Sequence, residues 1–164
     1  MSLNIIIPCY NESMRLPVNK YLDFLKLNKK VKIIFVNDGS TDSTKTLVNK
    51  LSDKYPKQIR FLSYDKNKGK GNAVRDGFLY AVHQNMRGNL AYLDADLSTS
   101  LEECKLLSKK INDKIKFVFG SRIPKSNNII KRKFHRFIIG RSIATIISSI
   151  IGVPIYDTQC GCKI

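Results

Sequence analysis

Apolar residues come in short runs separated by polar loops, and the runs alternate with segments of helical period. Leu3 to Ile7 is an apolar run ended by Pro8, the pattern of a buried parallel strand entering a loop. A second run, Val31 to Val36, stops at Asn37-Asp38-Gly39-Ser40. Thr41 or Ser40 then caps a predicted helix through about Leu51, with Leu47, Val48 and Leu51 on its apolar side, before Tyr55-Pro56 breaks it. The pattern repeats, with strand Ile59 to Ser63, loop Lys66 to Gly71, helix Asn72 to Asn85 and strand Leu90 to Leu93 running into Asp94. Helix Glu102 to Ile111 and strand Phe117 to Phe119, ending at Gly120-Ser121-Arg122, complete the series.

Strands alternating with helices of this length imply βα crossover units, an α/β fold with a mainly parallel central sheet flanked by helices. In such open sheets ligands bind beyond the carboxyl ends of the strands. Polar clusters fall at four of those ends: Pro8-Cys9-Tyr10-Asn11-Glu12, Asn37-Asp38-Gly39-Ser40, Asp94-Ala95-Asp96 and Gly120-Ser121-Arg122. They are expected to meet in one cleft.

The stretch from Ile129 to Ile155 departs from this rhythm. Basic residues lead, and Ile143 to Ile151 is nearly all apolar or small, broken by Thr145, Ser148 and Ser149. It is too short and too polar to cross a bilayer. Two readings stay open: an amphipathic helix lying on a membrane interface, and a core helix with a solvated basic start.

At 164 residues the chain is expected to form one domain, 1–164, with a core large enough to need no disulfide or structural metal. The 29 Lys and Arg against 13 Asp and Glu give a net charge of +16, which asks for an anionic partner. The excess is concentrated, because no carboxylate lies between Asp113 and Asp157. No aromatics interleave with Lys and Arg in a nucleic-acid-binding motif, so nucleic acid is not the expected partner. Cys9, Cys104, Cys160 and Cys162 read as free thiols, and no secretory signal opens the chain, which together suggest a cytoplasmic location. Cys160-Gly161-Cys162 lacks the second pair that a zinc site needs.

Asp94-Ala95-Asp96 follows a predicted strand, and two carboxylates separated by one residue can both face a hard divalent cation such as Mg²⁺ or Mn²⁺. Asp38 stands where a carboxylate can accept a base N–H, or where an ordinary Asp-Gly-Ser turn caps a helix. The Lys66 to Arg75 segment is glycine-rich but lacks the spacing of a P-loop.

Taken in order, Ile7-Pro8-Cys9-Tyr10-Asn11-Glu12, Val36 to Asp42, Asn67 to Gly77, Asp94-Ala95-Asp96, Gly120-Ser121-Arg122 and Asp157-Thr158-Gln159-Cys160-Gly161 resemble the family 2 glycosyltransferases of GT-A fold. Within them, the sequence is most similar to the branch that glycosylates dolichyl or polyprenyl phosphate. The resemblance implies that Pro8, Tyr10, Glu12 and Asp38 surround the nucleobase and ribose, that Asp94 and Asp96 take ribose and metal, and that Lys70 and Arg75 line or shape the donor pocket. It implies that Arg122, Arg132 and Arg136 grip the acceptor phosphate, a task suited to the planar guanidinium fork. Asp157 then stands near the anomeric centre as acceptor orienter or weak base, making Asp96, Asp157 and Arg122 the catalytic set. Ser98 stands where some of these enzymes place a metal-contacting Gln, and Cys162 where an aromatic is usual.

The implied reaction is an inverting, metal-dependent transfer of a sugar, glucose from UDP-glucose, to a lipid-linked phosphate at the cytoplasmic face of a membrane. Transfer to a saccharide hydroxyl in surface-glycan synthesis is the alternative within the family, and a basic nucleic-acid-binding domain the distant one. Enzymes resembling this chain continue past the last motif, so the carboxyl-terminal part of the domain is expected to be missing. Nothing in the sequence fixes the oligomeric state.

Overall fold

The computed structural model of the chain describes residues 2–120, 145, 148–150, 152 and 160–164. The expectation of one domain over 1–164 meets a chain that divides into two compact units: Met1–Val118 with Gly161–Ile164, and Phe119–Cys160. The last four residues, Gly161–Ile164, belong to the first unit.

The first unit is built on a sheet of order β3-β2-β1-β4-β5, from β1 (Leu3–Cys9), β2 (Val31–Asn37), β3 (Ile59–Ser63), β4 (Asn89–Leu93) and β5 (Cys162–Lys163). β1 lies at the centre, parallel to β2 and β4, and every one of its residues is buried. This explains its continuous apolar run, because helices cover both faces of a parallel sheet. β3 extends the parallel set beyond β2, whereas β5 closes the other edge antiparallel to β4, pairing Tyr92 with Lys163 and Leu93 with Cys162.

Helices α1 (Val18–Leu27), α2 (Thr44–Lys54), α3 (Lys70–His83) and α4 (Leu101–Ser108) supply the layers. Side chains alternate along the strands, so Ile6, Ile34 and Val36 share a cluster with Ala73 and Ala81 of α3, while Phe35 points the other way. There it meets Tyr21 of α1 edge to face, ring centres 5.2 Å apart. Gly77 lets α3 approach closely, since a Cβ there would lie 2.5 Å from Ile6 Cγ2.

Two expectations are corrected, and one helix is new. The second helix starts at Thr44 and not at Ser40 or Thr41, because those residues bind Asn11 instead: Ser40 Oγ accepts the Asn11 N–H and the Thr41 N–H donates to Asn11 Oδ1. Phe117 to Phe119 forms no regular strand. Val118 exchanges two backbone hydrogen bonds with Ile164 and Phe119 forms an isolated bridge, while the edge strand is Cys162–Lys163, too short and polar to read from pattern. Helix α1 is unforeseen, although Tyr21, Phe24 and Leu25 carry its buried face at helical spacing.

In the second unit, Thr145 and Ser148–Ile150 are helical, Ser149 Oγ donates to the Thr145 carbonyl, and Gly152 ends the turn at φ 71°. Ile150 is exposed. The remainder of the basic and apolar stretch lies outside the described residues. Among the described residues, no helix is long and apolar enough to cross a membrane.

Candidate functional site

The carboxyl ends of β1, β2 and β4 open into a cleft of about 290 Å³, lined by Pro8, Cys9, Tyr10, Glu12, Arg15, Asp38, Asn67, Gly69, Lys70, Asp94, Ala95 and Asp96. Asp38 and Asp96 thus face the same space, at the sheet edge where such folds place their ligands.

Asp38 is 2% exposed. Its N–H donates to the Cys9 carbonyl at 2.8 Å, joining the ends of β2 and β1, and its Oδ1 accepts the Lys68 N–H at 2.8 Å. The adjoining Gly39 has φ 68°, and a Cβ there would collide with the Lys66–Asn67 backbone. The Asp-Gly pair therefore locks the glycine-rich loop against the sheet, and the loop places Asn67, Gly69 and Lys70 on the cleft wall.

Glu12 begins a turn whose first residues are fixed from α2. Its N–H donates to Thr44 Oγ1 at 2.8 Å, while Asp42 accepts the N–H and hydroxyl of Ser13. Burial opposes charge on Asp42, but hydrogen bonds from Thr44 and Ser13 outweigh it and hold its carboxyl below the ordinary range. Glu12 differs: one oxygen pairs with Arg15 at 3.0 Å, whereas the buried Oε2 has no hydrogen-bond partner. Burial, with Asp96 and Asp42 adding to it against Arg15, raises its pKa.

The Asp94-Ala95-Asp96 turn is held from below, where the buried Tyr21 donates its hydroxyl to the Ala95 carbonyl at 2.9 Å. Asp94 Oδ1 accepts from Lys70 Nζ at 2.6 Å and from the Tyr92 hydroxyl, and its N–H donates to the Gly161 carbonyl. Burial acts to lower the Lys70 pKa, but the bonds to Asp94 and Tyr92 raise it overall. Asp96 is exposed, and its Oδ1 accepts the Ser98 N–H at 2.9 Å. Among the described residues, no group of three His, Cys, Asp or Glu is arranged to hold a metal. Asp96 nevertheless keeps accessible carboxylate oxygen, and Glu12 adds a buried oxygen, Oε2, that has no hydrogen-bond partner. That chemistry fits a hard cation that takes one or two carboxylates and completes its shell with water and diphosphate.

Of the residues singled out from sequence, Pro8, Tyr10, Glu12, Asp38, Lys70, Asp94 and Asp96 line the cleft. Arg75 does not: five residues from Lys70 it lies about 140° around the helix, exposed and paired with Asp76 at 3.4 Å. Arg122, Arg132, Arg136 and Asp157 lie outside the described residues. Sequence reasoning gave Asn67 only as part of the glycine-rich motif, and it missed Arg15 on the cleft wall and Tyr92 behind Asp94. Arg15 carried the signal of a charge three residues after Glu12, whereas Tyr92 reads simply as one apolar position of β4. The four cysteines are free thiols and buried.

The sequence profile of glycosyl transferase family 2 matches residues 4–163. The chain is 35% identical to a dolichyl-phosphate beta-glucosyltransferase of Trichomonas vaginalis, over 99% of this chain and 52% of that one. It is 30% identical to the Homo sapiens protein of that name, over 99% and 54%, and 32% identical to the Saccharomyces cerevisiae protein, again over 99% and 54%. The chain spans about half the length of these curated relatives. Among solved structures, it is similar to glucosyl-3-phosphoglycerate synthase from Mycobacterium tuberculosis in complex with uridine diphosphate. The TM-score is 0.62, at 16% identity, over 99% of this chain and 55% of that one. The same enzyme is also known with Mn²⁺, UDP and glucosyl-3-phosphoglycerate, at TM-score 0.61. These likenesses agree on an α/β, GT-A nucleotide-diphospho-sugar transferase fold. The chain belongs to glycosyl transferase family 2.

Proposed function

We infer that the cleft binds a nucleotide sugar, UDP-glucose, and that the chain is the donor-binding part of an enzyme that transfers glucose with inversion to dolichyl or polyprenyl phosphate. The observation that carries this is the convergence of Asp38, Lys70, Asp94 and Asp96 on one cleft at the carboxyl edge of the sheet. The names of the relatives, dolichyl-phosphate beta-glucosyltransferases, support glucose and the lipid acceptor.

The acceptor makes limited chemical demands. A phosphate monoester has a second pKa of about 6, so at neutral pH its oxygen is already a nucleophile and needs orientation more than deprotonation. Asp157, with Arg122, Arg132 and Arg136 as phosphate grips, fills that role in this reading. The harder task is the departing nucleoside diphosphate. Mg²⁺ or Mn²⁺ held by Asp94 and Asp96 supplies charge neutralisation there when bound. Within the chain, Asp38 and Tyr10 fix the nucleoside, the Lys70 ammonium faces the diphosphate, and the cleft walls limit water at the anomeric carbon.

The basic excess between Asp113 and Asp157 suits the surface of an anionic membrane, and the proposed site of action is its cytoplasmic face. Incubating the chain with UDP-glucose, Mn²⁺ and polyprenyl phosphate, against a parallel saccharide acceptor, tests the reading. Glucosyl phospholipid formed only with the lipid acceptor supports it. Product on the saccharide alone overturns the acceptor, and absence of UDP binding overturns the donor site.

A further inference from the structure

Building on the donor-site reading above, we propose that Tyr92 is a positioning residue whose phenol holds Asp94 in its orientation, while Lys70 is the arm that a bound diphosphate draws away from it. Asp94 is fixed on three sides. Its N–H donates to the Gly161 carbonyl at 3.0 Å, which ties it to the strand beside it. Behind the carboxylate, Gly161 has no side chain, and a Cβ there would collide with Asp94 Oδ2. In front, Oδ1 takes both the Tyr92 hydroxyl and the Lys70 ammonium.

These last two arms are unequal. Tyr92 is 7% exposed and set in β4, its ring flanked by Lys70 Nζ at 5.4 Å and Lys163 Nζ at 5.6 Å from its centre. Its hydroxyl is held on Asp94 Oδ1 from within the sheet, a position the strand fixes. Lys70 by contrast is the first residue of α3, and its side chain is 59% exposed on a flexible stem. An ion pair so open to water is weak, and a diphosphate with more than one negative charge outcompetes a single carboxylate for it. The carboxylate then stays in place because Tyr92 and the strand hold it. No functional motif of the sequence contains Tyr92, and the residue does not line the cleft, so its effect on ligand passes through Asp94.

The test is calorimetric titration of the full 164-residue chain with UDP in Mn²⁺, comparing wild type, Tyr92→Phe, Asp94→Asn and the double variant. Loss of a charge-assisted hydrogen bond corresponds to about tenfold weaker UDP binding by Tyr92→Phe. In the Asp94→Asn background, the same substitution is expected to cost less than about twofold, since coupled residues are not additive. An equal loss in both backgrounds overturns the proposal, as does wild-type affinity in Tyr92→Phe. The ratio of UDP to uridine affinity provides a second decision, independent of how weakly Asp94→Asn binds. Because Asp94 acts on the diphosphate through the metal, Tyr92→Phe lowers that ratio in Mn²⁺ but not after chelation, whereas Lys70→Met lowers it in both; the reverse pattern overturns the assignment of the two arms. A wild-type chain that binds no UDP refutes the donor-site reading itself, and this proposal with it.

Discussion

Tyr21 in α1 donates its hydroxyl to the carbonyl of Ala95 at 2.9 Å, so a helix with no residue in the cleft sets the position of the Asp94–Asp96 turn. Tyr21→Phe keeps the edge-to-face contact with Phe35 and removes only that bond. The expected cost is about 1–2 kcal/mol of stability, as a buried carbonyl loses a donor. UDP affinity falls with it because the turn loosens. Denaturant midpoints and UDP titration on the same samples measure both, and an unchanged affinity would separate the turn from the ligand.

Asp96 is exposed, and the Ser98 N–H is its hydrogen-bond partner, so its replacement is expected to leave the fold intact. Asp96→Ala changes stability by no more than about 0.5 kcal/mol, as surface substitutions do. Turnover, if charge at the leaving diphosphate is the obstacle, drops on the order of 100-fold or more. Chelation of divalent ions in the wild type reproduces the loss, and added Mn²⁺ restores the wild type but not the variant. Steady-state rates with and without EDTA decide it.

Glu12 is placed for binding at the expense of stability. Its Oε2 is buried without a partner, and burial together with Asp96 and Asp42 raises its pKa despite Arg15. A carboxyl with a raised folded pKa favours the folded state below its ordinary pKa and loses that contribution as pH rises through the folded value. Glu12→Gln, uncharged throughout, is therefore expected to raise the melting temperature at pH 7, by on the order of 1 kcal/mol in stability. The gain disappears below about pH 4, where the wild-type carboxyl is itself protonated. UDP affinity is expected to move the other way. Melting curves across pH with and without UDP show both trends.

Much of this site is visible in the order of residues, and the reasons it is visible are physical. Ile5, Ile33 and Ala91 lie in apolar runs that a two-sided sheet requires, and the loops that follow those three strands bring Glu12, Asp38 and Asp96 to the cleft. What sequence hides is the support. Tyr21 and Tyr92 sit among apolar neighbours, and only three-dimensional proximity reveals what their hydroxyls hold. Gly161 follows a cysteine in a stretch that reads as a thiol pair, yet its role is to leave room for Asp94, 67 positions earlier by their numbers. Cys162–Lys163 is a strand only because β4 offers it an edge, something no two-residue pattern announces. Arg75 fails for the opposite reason: it belongs to a glycine-rich run read as one unit, but the helix begins at Lys70 and turns it away.

Gly77 makes the packing claim testable, because two effects of known sign compete there. Replacing a mid-helix glycine by alanine gains about 1 kcal/mol of helix propensity. Here the new Cβ would lie 2.5 Å from Ile6 Cγ2 and 3.2 Å from Val36 Cγ2, atoms of fully buried side chains in the two central strands. Both neighbours are fully buried, and overpacking of this kind costs about 1–3 kcal/mol. The clash is expected to win, so Gly77→Ala lowers stability and lifts α3 from the sheet. Since Lys70 opens the same helix, UDP affinity falls by about threefold or more even though residue 77 is far from the ligand. A variant that melts higher than wild type would show that α3 can yield against Ile6 and Val36 at little cost.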